Sequence, residues 1–279
     1  MAVSETGGTG VPVGYFLLPN KKMSTYDLML QKLLERLGGQ PASLKTILSD
    51  FEKALIGSVR KLFENVKHQG CRFHKYSALW KKLGEKGLQG LFHQSASFKE
   101  VVYMFFALCY VPEEDVVPLF NSIVLPKIQT LAVEDEDWVD YSDELEDFGF
   151  YYETTWIKRR NGKAPTFDIS LWNQFNSLCT DGHQTNNHLE SYNRTFNKLA
   201  GQNPNVWKVH ELFRSQEADT RRRFLNNAVG LDKSTNTGRK QRSMDRRGRL
   251  KFIADSYATI PRKEYITMIA HEFMKQDDM

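Results

Sequence analysis

Two carboxylates stand where their surroundings could turn them to chemistry. Asp50 ends the run Leu44, Thr46, Ile47, Leu48, a short apolar and partly β-branched stretch that predicts a buried strand. Beyond it Phe51, Leu55, Val59 and Leu62 recur at helical spacing. An acid between strand and helix sits at the carboxyl edge of a sheet, where open α/β sheets place their ligands. Asp is also a favoured helix N-cap, and that role accounts for the same position. Glu190 lies in DGHQTNNHLESYNRTFNKLA, residues 181–200. Thr185 or Asn186 can cap a helix there, with Leu189, Tyr192, Phe196 and Leu199 along one face. Asn187, Glu190, Arg194 and Asn197 line the neighbouring face, which sets a carboxylate among amides. The plain alternative is an i,i+4 pair of Glu190 with Arg194 on a solvated face.

Cys71 and His74 form a Cys-x-x-His pair, two of the four ligands that a closed zinc site needs. Cys179, His183 and His188 could supply the others if the fold joins them. Otherwise Cys71 is a small buried residue and His74 a hydrogen-bonded residue at a helix start. The clearest charge signal is in residues 221–251, with eleven Lys or Arg against two Asp. Arg221, Arg222, Arg223, Arg239, Lys240, Arg242, Arg246, Arg247 and Arg249 are its candidates for phosphate contacts without sequence choice. Thr, Asn, Gly and Ser in its middle predict flexible parts, and a linker or nuclear-import signal reads equally from the same run.

The elements that must position these residues alternate in the first part of the chain. Val13 to Leu18 predicts a strand closed by Pro19-Asn20. A helix follows, capped by Ser24 or Thr25, striped by Tyr26, Leu30, Leu33, Leu34 and Leu37, and ended by Gly38-Gly39. After the central strand and its helix, Val66 to Gly70 predicts a short strand and Phe73 to Lys86 a helix. This order argues for an α/β layered domain with parallel pairing. Residues 91–132 read as Phe- and Leu-rich helix, broken at Val111-Pro112. Residues 134–147 hold nine acids and no base, the pattern of a solvated loop. Residues 252–274 predict one or two final packing helices.

At 279 residues and 32.3 kDa the chain suits one large domain or two modest ones. It is 41% hydrophobic, enough for a substantial core, and has no run of eighteen apolar residues to span a membrane. The first residues carry neither a basic start nor an apolar h-region, and three widely spaced cysteines make no disulfide framework. Both features predict an intracellular protein that is not secreted.

VPVGYFLLPNKKMSTY, the strand ending in SDFEKAL, CRFH, YVPEEDV, the Trp172-Asn173 pair and QTNNHLES resemble, in this order, the transposase domain of Mutator-like elements. The resemblance runs from about Val11 to Leu199. It implies an α/β, RNase H-like fold of the DDE superfamily, interrupted by a large all-α insertion before the catalytic Glu. It implies residues 1–90 as the first part of the core and 91–180 as the insertion with its acidic loop. Residues 181–200 become the core helix with the third acid, followed by a basic, helical region at 201–279. The implied chemistry is two-metal phosphoryl transfer on DNA, with Asp50 and Glu190 as catalytic acids and Mg²⁺ ligands.

The family's first Asp precedes the segment matching VPVGYFLLPN, and the only acid before Asp27 is Glu5. The expected sheet is therefore incomplete and the expected domain catalytically defective. Two function classes follow: a transposase-derived nuclease fold acting on element DNA in the nucleus, and an adopted, non-catalytic DNA-binding or interaction protein. An exposed sheet edge would also favour self-association into a homo-oligomer.

Overall fold

The parallel pairing expected around Asp50 is present in a computed structural model, which describes residues 2–3, 10–134, 140–158, 163–179, 195–229 and 238–277. β3 (Thr46–Ser49) and β4 (Lys67–Gly70) run parallel, with Thr46 opposite Lys67 and Ser49 opposite Gly70. Parallel neighbours need a crossover, and here it carries α2 (Lys53–Leu62). The only other strands among the described residues are β1 (Ala2–Val3) and β2 (Gly10–Val11), an antiparallel pair. All the remaining regular structure described is helical, so the chain is mostly helical with a small parallel sheet.

The chain divides into two compact units, each made of separate stretches. The first comprises residues 1–45, 52–66 and 186–237. In it α1 (Met23–Leu37) packs on α2 through Tyr26, Leu30, Ile56 and Val59. Gly38 ends α1 in the left-handed region at φ 72°, and the amide of Gly39 reaches the Leu34 carbonyl at 2.8 Å, so the last turn is closed by residues without a β-carbon. Its N-cap is Lys22, not Ser24 or Thr25. Asn20 accepts from the Lys22 amide (3.0 Å) and from the Thr25 hydroxyl (2.7 Å), which moves the cap upstream. The strand expected at Val13–Leu18 is not formed. No strand pairs with it among the described residues, and Val13, Phe16, Leu17 and Leu18 are exposed. An apolar run becomes a strand only where another strand accepts its backbone.

The second unit comprises residues 46–51, 67–185 and 238–279. Here α3 (Arg72–Glu85), α4 (Gln89–Gln94) and α5 (Ala96–Ala107) lead into the break at Val111-Pro112. α5 is apolar on every side and buried from Val101 to Ala107, as a central core helix must be. α6 (Glu113–Leu119) adds Val116 and Leu119 to the same core, and α7 (Leu125–Glu134) and α8 (Ser142–Tyr152) pack against α5. So does α13 (Arg262–Asp277), whose Tyr265, Ile266, Ile269, Ala270 and Phe273 are buried. α9 (Ile169–Trp172), α10 (Phe175–Cys179) and α12 (Gly238–Asp255) complete the unit, and α11 (Val206–Ala228) belongs to the first.

One loop expectation, the acidic run, gives way in part to helix, while the middle of the basic segment, 230–237, lies outside the described residues. Residues 142–147 of the acidic run form the first turns of α8. Asp143 and Glu144 lie in the first turn, where the helix dipole favours anions, while Leu145 and Phe148 are buried. In the basic segment, 221–228 close α11 and 238–251 belong to α12, because Leu250, Ile253 and Ala254 pack into the core.

Candidate functional site

Asp50 follows directly on β3, and its neighbours on both sides are held. The Ser49 carbonyl accepts from the Cys71 amide at 2.8 Å, which carries the parallel ladder one residue beyond the strands. On the other side Phe51 packs edge-on against Trp156 and Phe167, with both ring centroids at 5.0 Å. Its ring crosses β4 at Gly70, where an added β-carbon would stand 2.4 Å from a ring carbon, so only glycine fits. The Asp50 carboxylate is half exposed, and its Oδ1 lies 3.1 Å from Nδ1 of His74 on the first turn of α3. Asp50 does not cap α2. The N-cap is Glu52, in extended conformation two residues further on.

Cys71 is fully buried at the N-cap position of α3, and its carbonyl accepts from the Lys75 amide at 3.2 Å. On the sheet's other face Ser49 Oγ lies 2.8 Å from His68 Nε2. Strand ends and helix start thus bring Asp50, His74 and Cys71 to one edge of one unit. Glu190, His183 and His188 lie outside the described residues.

Sequence reasoning missed Lys75, the residue after His74. It is buried on the apolar side of α3, where Lys75, Leu79 and Leu83 recur every four residues. That spacing, a lysine where an apolar residue belongs, was the readable signal. Its Nζ donates to Tyr152 Oη (3.0 Å) and to Cys109 Sγ (3.4 Å), and lies 3.2 Å from the Trp172 ring centroid. Tyr152 in turn donates a hydrogen bond to the Phe105 carbonyl at 2.6 Å. Burial pushes the Lys75 ammonium down to about 8, against a weaker opposing pull from Cys109. Burial likewise pushes the Cys109 thiol up.

A seam of amides ties β4 to α9 and α10. Gln69 donates to the Asn173 carbonyl (2.8 Å), and Asn173 to the Val111 carbonyl (2.7 Å). Gln174 donates to the Gly70 carbonyl (3.1 Å), while Ser177 donates to Gln69 Oε1 (2.9 Å). These contacts satisfy the Gly70 carbonyl and the neighbouring chain at a sheet edge that has no further strand among the described residues.

The described residues at this edge do not by themselves fit a metal. Mg²⁺ takes oxygen ligands, and among the described residues the edge offers one carboxylate, 3.1 Å from an imidazole nitrogen. Among the described residues no three His, Cys, Asp or Glu side chains converge for a metal ion. Of the candidate cations, Arg221, Arg222 and Arg223 are exposed on α11. On α12, Arg249 reaches Glu272 at 2.8 Å. Arg246 is partly buried over the Phe273 ring, its centroid 4.4 Å away, and burial followed by repulsion from Arg72 lowers its pKa. Arg247 is partly buried, and the side chains of Arg239, Lys240 and Arg242 lie outside the described residues.

No helix among the described residues is long and apolar enough to cross a membrane. No curated protein and no solved structure matches the chain. A family model does match: that of the MULE transposase domain, over residues 1–78. The matched stretch contains β3, Asp50, β4 and the Cys71–His74 pair. Over residues 1–78, then, the chain is similar to the transposase domain of Mutator-like elements.

Proposed function

We propose that this transposase-derived chain binds DNA and, in the form described, does not cleave it. One observation carries the reading: within the segment that matches the transposase domain, Asp50 stands at the carboxyl end of a parallel strand with Nδ1 of His74 3.1 Å from its carboxylate. In an RNase H-like arrangement that edge holds the second acid of the triad, and two-metal cleavage spreads the charge of its ions over several carboxylates. Among the described residues the edge offers one carboxylate with an imidazole nitrogen 3.1 Å away, a poor start for such a site. The exposed arginines of α11 suit contacts to the phosphate backbone, and a nuclear protein would use them on chromosomal DNA.

A second reading, Mg²⁺-dependent strand cleavage with Asp50 and Glu190 as ligands, is favoured by the position of Asp50 alone. Supercoiled plasmid incubated with the chain and Mg²⁺ separates the two. We expect DNA retardation without nicking, unchanged by Asp50→Ala. Nicking that needs Mg²⁺ and vanishes in Asp50→Ala and in Glu190→Ala would establish the second reading.

A further inference from the structure

The outward side of α11 combines an uncovered indole with a line of cations. The inward side of this helix carries Val209, Leu212, Phe213, Gln216 and Thr220, all partly buried. Phe213 stacks on Tyr15 (centroids 4.6 Å apart, 15° between planes) and on Phe196 (5.3 Å, 25°), which fixes how the helix is turned. On the opposite side, steps of seven residues put Trp207, Arg214 and Arg221 almost in line, and all three are exposed. The line is about 21 Å long at 1.5 Å per residue. Trp207 is 75% exposed, the largest exposure among the exposed large hydrophobic side chains described. Lys208 and Arg222 flank the line. Glu211 and Glu217 are also exposed on this helix and oppose the cations in part. The pair of Arg222 with Asp219 at 3.0 Å is surface-exposed and holds the arginine weakly.

We infer that this stripe binds single-stranded DNA, with Trp207 stacking on a base and Arg214 and Arg221 pairing with phosphates. The inference rests on DNA being the protein's ligand, as proposed above. A tryptophan standing out from a helix needs a flat π-face, and unstacked bases offer one, whereas a duplex covers its base faces by internal stacking. An apolar protein surface would cover the indole but bury Arg214 and Arg221 without counter-charge, which costs more than the contact returns. A nucleic-acid strand supplies both the ring and the anions.

The test uses the full chain, a fluorescein-labelled oligothymidylate of twenty nucleotides and a labelled duplex of the same length, read by fluorescence anisotropy at one fixed salt concentration. Trp207→Ala should weaken oligothymidylate binding roughly ten- to hundredfold and leave duplex binding within about twofold. Trp207→Phe should restore most of the loss. Equal oligothymidylate binding by wild type and Trp207→Ala overturns the inference, as does an equal loss on the duplex. Wild-type binding to duplex with none to oligothymidylate overturns it while the DNA-binding reading stands. Binding to neither overturns both. A concentration-dependent dimer that Trp207→Ala abolishes, with no change in oligothymidylate affinity, assigns the stripe to a second copy of the chain and overturns it too.

Discussion

Lys75 shows what a single buried charge does to this molecule. Its ammonium has no carboxylate among the contacts described above; a phenol, a thiol and the faces of aromatic rings hold it. Because the folded state lowers its pKa from the ordinary 10.5 to about 8, the unfolded chain binds this proton more tightly. Between those two values the unfolded state carries more protons, so stability rises with pH, and the gain is lost as pH falls through about 8. From pH 7.5 to 9.5 the wild type should gain about 2 kcal/mol relative to Lys75→Met, by the usual conversion of about 1.4 kcal/mol per pKa unit. Urea unfolding of both proteins at the two pH values measures this. Parallel stability-pH curves would mean that Lys75 does not carry its charge into the core. The window stops below 10, where tyrosines of the unfolded chain begin to ionise and buried Tyr152, held neutral by burial, adds the opposite slope.

At the scale of elements, the two-stranded sheet depends on what borders it. β4 has no further strand beside it among the described residues, and the amides of Asn173 and Gln174 hold the chain next to it. Asn173 donates to the Val111 carbonyl and accepts from the Phe175 amide at 3.0 Å, so one side chain joins the break before α6 to the start of α10. Asn173→Ala strips both partners inside a buried seam and should cost about 1–3 kcal/mol in unfolding free energy. Its thermal unfolding, compared with that of exposed Asn205→Ala at the start of α11, provides the check. A smaller loss at Asn173 than at Asn205 would show that the seam is not what closes the sheet edge. The same element scale explains α8. Nine acids read as solvated loop, yet acids at a helix N-terminus help a helix begin, and Leu145, Phe148 and Tyr152 pull it onto the core.

For the whole molecule, the proposed DNA binding requires that charge free to meet phosphate be told apart from charge that serves the fold. Arg221 is exposed on α11, whereas Arg249 is tied to the buried carboxylate of Glu272 at 2.8 Å. Duplex affinity measured across a salt series should fall linearly in log–log form, with a slope set by the number of phosphates neutralised. Arg221→Ala should reduce that slope by about 1, and Arg249→Ala should leave it nearly unchanged. If Arg249 changes the slope and Arg221 does not, the interface lies on α12 rather than α11.

By itself the sequence determined the local pieces that periodicity and short motifs encode. The strand before Asp50, the strand ending at Gly70, the helices on either side and the transposase resemblance of the first 78 residues were all legible. Apolar spacing and glycine stops act within a few residues, so they can be read without the fold. Only tertiary structure decided the rest. It set Phe51 across Gly70, drew His74 onto Asp50, placed Lys75 in its aromatic box and denied Val13–Leu18 a partner strand. It also interleaved two units from separate stretches of chain. Each of these depends on residues far apart in sequence meeting in space, and on desolvation and packing that exist only once they have met.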